Sequence, residues 1–113
     1  MQLTKISDLI NSEGMILGLF KDEKESYYLK SFVKPEKGYI TYKVSKGALK
    51  KFRENKYTIE DLLKDSNSNL ISYEHRKSNQ TFVKDDFYGK LHCGNKKISD
   101  FSEGTIGDLS YLD

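Results

Sequence analysis

Polar and apolar residues alternate most cleanly from Tyr39 to Val44. There Ile40, Tyr42 and Val44 fall on one side of an extended chain, and Tyr39, Thr41 and Lys43 on the other. The run is read as a strand with its isoleucine side buried. Two further strands precede it: Met15–Phe20, the longest apolar run in the chain, and Ser26–Val33, rich in aromatic and β-branched residues. The polar stretch Lys21–Glu25 separates the first two, and Pro35 and Gly38 punctuate the second gap. These strands are expected to form a three-stranded antiparallel meander. Ahead of it, Leu3, Ile6, Leu9 and Ile10 recur at helical spacing, with Thr4 placed to cap and Gly14 beyond the end, which predicts a short helix or turn over 3–11.

After the meander the period changes. Ser45 is placed to cap a helix from Lys46 to about Asn55, with Leu49 and Phe52 facing the core. Thr58-Ile59-Glu60-Asp61 opens a second short helix ending near Lys64, with Ile59, Leu62 and Leu63 inward. Asp65–Asn69 reads as a loop. Leu70–Glu74 and Gln80–Lys84 read as a hairpin about Arg76-Lys77-Ser78-Asn79, and Phe87–His92 as a weaker strand closing on Gly94-Asn95. Strands first, then helices, then strands favour an α+β class over a parallel doubly wound fold. The expected organisation is one α+β domain over 1–113, with 99–113 as an acidic C-terminal segment.

Composition narrows the function classes. The chain has 113 residues, 36% apolar and 32% charged, with eight tyrosines, six phenylalanines and no tryptophan. That length suits one core, and the aromatic content argues against disorder. The net charge of +2 is too balanced for a generic nucleic-acid binder. The single Cys93 rules out an internal disulfide and points to a reducing compartment. The longest apolar run is far short of a membrane span, and the N-terminus shows no secretory pattern, so no membrane partner and a cytoplasmic setting are expected. Richness in Lys, Asn and Ser suits an AT-rich bacterial or phage genome.

Candidate chemistry is sparse. In a strand, His92 and Cys93 would point to opposite faces and could not form a Cys–His pair. His75, His92, Cys93 and Asp85-Asp86 lack the spacing of a zinc site. The acidic pair Glu60-Asp61 suits a helix N-terminus, and Asp85-Asp86 a turn. The scattered glycines form neither a P-loop nor a dinucleotide-binding fingerprint. No catalytic residue, metal or cofactor is expected.

Charge patterning says more. From Lys43 to Lys56 there are six basic residues and one acid, and Lys46, Lys50 and Arg53 share one helix face. Such a stripe is either solvated or a dock for nucleic acid or an acidic protein surface, with Tyr39 and Tyr57 as exposed aromatics beside it. The segment from 99 to 113 carries Asp100, Glu103, Asp108 and Asp113 without a base, among the apolar Phe101, Ile106, Leu109, Tyr111 and Leu112. Those apolar residues either pack back on the domain or engage a partner, in which case the carboxylates match a basic groove.

An ordered pattern runs from Met15 to Ser66: Gly-Leu-Phe, Tyr-Tyr-Leu, Tyr-Ile-Thr-Tyr-Lys-Val-Ser, then Leu49 and Phe52, then Tyr57-Thr58-Ile59-Glu60-Asp61-Leu62-Leu63. It resembles a family of small uncharacterised bacterial domains of unknown function. The resemblance implies the fold and no site. The function expected is therefore binding without catalysis: a bacterial or phage protein of inhibitor or immunity type that occupies the surface of another protein, such as a nuclease or a nucleic-acid-targeting defence complex. The alternative is an RNA- or DNA-binding accessory protein using the Lys43–Lys56 stripe.

Overall fold

The computed structural model describes residues 2–34 and 37–112, so Pro35 and Asp113 lie outside the described residues. Four strands come first: β1 (Thr4–Asn11), β2 (Met15–Lys21), β3 (Tyr27–Val33) and β4 (Gly38–Lys43). Helices α1 (Lys46–Arg53) and α2 (Ile59–Asp65) follow, then β5 (Leu70–His75) and β6 (Ser78–Val83). The strands form one six-stranded antiparallel sheet in the order β1-β2-β3-β4-β5-β6. The class is α+β, and the expected three-stranded meander is the centre of a longer one.

Register sorts the side chains onto two faces. Leu19 lies opposite Leu29, Leu29 opposite Tyr42, and Ser31 opposite Ile40, and all of these are buried. Ala48, Leu49 and Phe52 of α1 and Ile59, Leu62 and Leu63 of α2 join them in one continuous core. The helices therefore cover a single face of the sheet. Inside this layer the Tyr42 and Ser31 hydroxyls hydrogen-bond to each other at 2.9 Å. Both helix starts are as their sequences dictate. Ala48 N–H donates to Ser45 Oγ, and Thr58 and Asp61 cap each other's backbone reciprocally.

Two expected elements differ. Residues 3–11 are not a helix, since Thr4–Asn11 forms strand β1. Its pairing with β2 shifts register between Lys5 and Ser7, between Asp8 and Ile10, and again before Asn11. Such bulges turn consecutive residues to the same side. Leu9 and Ile10 are thereby both fully buried, which copies helical spacing. Phe87–His92 is not a strand either. Lys84–Phe87 is a 3-10 turn, Gly89 sits at φ +80°, and only Leu91 forms a bridge, to Val33. Phe87 and Leu91 are both buried, a spacing that a strand face shares, but the turn through residues 88–90 breaks the extended chain between them. The β5–β6 turn is tighter than expected, with Arg76 and Lys77 alone at its tip and Ser78 paired with His75.

The C-terminal segment lies against the sheet edge. Ile106 bridges Ile10, Gly107 N–H donates to Leu9 O at 2.8 Å, and Ser7 Oγ–H donates to Asp108 O at 3.0 Å. Phe101, Ile106 and Leu109 pack on the core and Leu112 is buried in it, while Tyr111 stays half-exposed. These apolar residues thus complete the domain, as the first of the two readings of this segment expects.

Candidate functional site

The stripe on α1 keeps its one-sided character, with Lys46, Lys50 and Arg53 exposed and Ala48, Leu49 and Phe52 buried. Part of its charge already answers local structure. Lys50, Lys51 and Arg53 occupy the last turn, where cations stabilise the exposed carbonyls of a helix end. The Lys46 ammonium lies 5.7 Å from the centre of the Tyr27 ring, and that of Lys51 5.2 Å from the Tyr57 ring.

Tyr57 is half-buried under this contact, and its hydroxyl donates to Asp65 at 2.5 Å, a bond that raises its pKa. The structure brings Tyr57 to the stripe and takes Tyr39 away from it. Tyr39 belongs to the face of β4 opposite the core, half-buried, donating to Met15 O at 2.8 Å and packing on Phe32 at 5.3 Å. Neither ring is the freely exposed stacking platform expected from sequence. The acidic candidates are exposed, yet two are occupied locally: Asp100 accepts from Lys97 N–H, and Asp108 from Ser110 N–H, which lowers its pKa. Glu103 opens a 3-10 turn and is exposed.

His92 and Cys93 part company. His92 lines a cleft of about 130 Å³ with Phe32 and Tyr39, its ring edge-on to Phe32 at 5.7 Å. Cys93, at φ +59°, lines a different hollow with Glu60 and Gly94. His75 stacks on Tyr73. Among the described residues no group of three or more His, Cys, Asp or Glu could hold a metal ion, and no helix is long and apolar enough to cross a membrane.

Burial, then the charges of Lys34 and Lys96, hold the His92 pKa below its ordinary value near 6.5. The folded state therefore prefers neutral imidazole. Its contribution to stability is complete above the unfolded pKa and is lost as pH falls below about 6.5. Chemical denaturation at pH 7.5 and at pH 5.5 should show the decline, and His92→Gln should flatten it. An equal decline in the variant would assign the pH dependence elsewhere.

The feature that sequence reading missed is the sheet face without helices. Strand pairing sets Phe20 beside Tyr28 and Phe32 beside Tyr39, with Lys30 and Thr41 between these two pairs and Lys43 beside Tyr28. The Lys30 ammonium lies 5.0 Å from the Phe20 ring centre. Its charge is answered by Glu74 at 3.4 Å, as Lys5 is by Asp8 at 2.5 Å; the Asp22 carboxyl, held below its ordinary pKa chiefly by the Ser26 N–H, also feels the charge of Lys43. Lys30, Thr41, Ser72, Glu74 and Asn79 line a shallow trough of about 310 Å³. Thr41 is 7% exposed, and its hydroxyl has no partner among the described residues. A hydroxyl desolvated without a partner costs about 1–3 kcal/mol. The signal was present in β3, where Tyr28, Lys30 and Phe32 alternate with Leu29, Ser31 and Val33.

Fold and surface together define a class: a small α+β protein with helices on one face of an antiparallel meander and a partly aromatic second face that no helix covers among the described residues. Beyond that class, no protein-family model, no curated protein and no solved structure matches the chain.

Proposed function

We propose that this chain is a binding protein that occupies the surface of a partner protein through the helix-free face of its sheet, in the manner of an inhibitor or immunity protein. The observation that carries the reading is the row of half-buried aromatics Phe20, Tyr28, Phe32 and Tyr39 on a face that no helix covers among the described residues. Aromatic side chains are enriched at protein interfaces, where each supplies a large apolar area and few rotors to immobilise. The charges on this face come largely in pairs, Lys30 with Glu74 and Lys5 with Asp8. Phosphate recognition depends on cations free to displace counterions, so the pairing favours a protein partner over a nucleic acid. The exposed carboxylates of Asp100, Glu103 and Asp108 would complement a basic rim such as that of a nuclease or another nucleic-acid enzyme.

The test compares two variants that leave the core intact. Immobilised wild-type chain is exposed to lysate of its native host, alongside Tyr28→Ala/Lys43→Ala and Lys50→Glu/Arg53→Glu. A partner retained by wild type and by the α1 variant, and lost by the face variant, is the expected result. Equal retention by the face variant would overturn the proposal. Binding of a labelled oligonucleotide that weakens steeply with salt and disappears on reversal at Lys50 and Arg53 would establish the nucleic-acid reading in its place.

A further inference from the structure

The two edges of the sheet are treated differently. An unpaired edge invites another strand, and proteins blunt it with charge, proline, bulges or a covering segment. The β1 edge has Lys5 and Asp8, three register shifts, and the C-terminal segment laid along it through Ile106 and Gly107. The β6 edge has none of these. Its sequence Ser-Asn-Gln-Thr-Phe-Val is uncharged, it pairs with β5 over six consecutive positions without a shift, and five of its six residues are exposed.

The geometry of the hairpin says which backbone groups are on offer. With a two-residue turn, His75 and Ser78 are a hydrogen-bonded pair, and such pairs then alternate along the ladder. Lys84 N–H, two residues beyond Phe82 in this alternation, donates inward to Asn69 O at 2.8 Å, in keeping with that phase. The N–H groups of Asn79, Thr81 and Val83 therefore point away from β5, as do the carbonyls of Asn79 and Thr81. The 3-10 turn after β6 leaves this edge free, because Phe87 folds under the helix-bearing face against Tyr73 and Phe82.

We propose that β6 pairs antiparallel with β6 of a second copy of this chain, with Thr81 opposite Thr81 and Asn79 opposite Val83. The choice of occupant rests on charge. In this register the exposed Arg76-Lys77 turn of each copy comes against the exposed Asp85-Asp86 turn of the other, and the two-fold axis repeats the match. Shifting the pairing by two residues one way sets Arg76 against Lys84, and the other way leaves the acidic turn opposite the polar residues of β6. The axis stands perpendicular to the sheet, so both helix layers fall on one side and the two helix-free faces join. The inference does not depend on what those faces bind.

Sedimentation equilibrium of the purified full chain, from micromolar to near-millimolar concentration, tests the assignment. The expected result is a reversible monomer–dimer equilibrium. Thr81→Pro, which deletes an outward N–H while sparing the ladder to β5, should leave a folded monomer. Arg76→Glu/Lys77→Glu and Asp85→Lys/Asp86→Lys should each weaken the dimer by at least about fivefold, and an equimolar mixture of the two should recover it. A wild-type chain that stays monomeric throughout, or a dimer that survives Thr81→Pro with its native circular dichroism, would overturn the proposal. A dimer indifferent to both charge reversals would overturn the register.

Discussion

Replacing Phe52 by alanine is expected to remove about 3–5 kcal/mol of stability, the range for deleting a fully buried aromatic side chain. Phe52 is 0% exposed and lies at the base of α1 beside Leu49 and Ala48. A helix of eight residues holds no stability of its own, so α1 exists because this face is docked on the sheet. Domains of this kind have about 5–15 kcal/mol in all, so the variant should lose from about a fifth of that to nearly all of it. Urea unfolding followed by circular dichroism measures it, as a drop in midpoint with little change in slope. A loss below about 1 kcal/mol would mean that α1 contributes little to the core. Lys50→Ala, two residues away and exposed, should change stability by no more than about 0.5 kcal/mol.

Gly107→Ala is expected to release the C-terminal segment from the β1 edge. A Cβ at this position would stand 1.7 Å from the Asp8 carbonyl oxygen and 2.9 Å from its carbon, both backbone atoms of a paired strand. Neither can retreat without disturbing β1, so the segment must lift. With it go the Gly107 to Leu9 hydrogen bond, the Ile106–Ile10 bridge and part of the apolar cover from Ile106 and Leu109. Overpacking of this sort costs about 1–3 kcal/mol. Amide exchange at Gly107 should accelerate toward that of an open chain. Gly104→Ala, which meets nothing within 4 Å, should leave both quantities near wild type. Unchanged protection in Gly107→Ala would show that the segment is not seated on β1 as described.

What the sequence makes legible depends on how local the determining interactions are. Ser45 and Thr58 cap their helices through bonds to residues three positions ahead, and both helix starts can be read from those residues alone. The alternation of Ile40, Tyr42 and Val44 identifies β4 and its buried side without reference to any neighbour. Strand β1 is opaque for the opposite reason. Its bulges are set by pairing with β2, and they put Leu9 and Ile10 on the core side together, a pattern that period alone assigns to a helix. From Lys84 onward the chain advances by 3-10 turns and single bridges anchored at distant points such as Val33 and Ile10, leaving no sustained period to read.

The same distinction governs the surface. The α1 stripe is a local helical pattern and stands out in the sequence, and the structure then assigns much of its charge to the helix end and to the Tyr27 and Tyr57 rings. The helix-free face is assembled from alternate residues of successive strands. Phe20 and Tyr28, or Phe32 and Tyr39, become neighbours only when the register is known.

Photo-crosslinking in the native cell tests most directly whether that face is where the protein works. A photoreactive phenylalanine analogue is placed at Tyr28, on the helix-free face, or at Lys50, on the opposite layer. A discrete protein adduct from position 28, absent from position 50, is the expected result. An adduct from position 50 alone would contradict the helix-free face as the binding surface and return the function to α1.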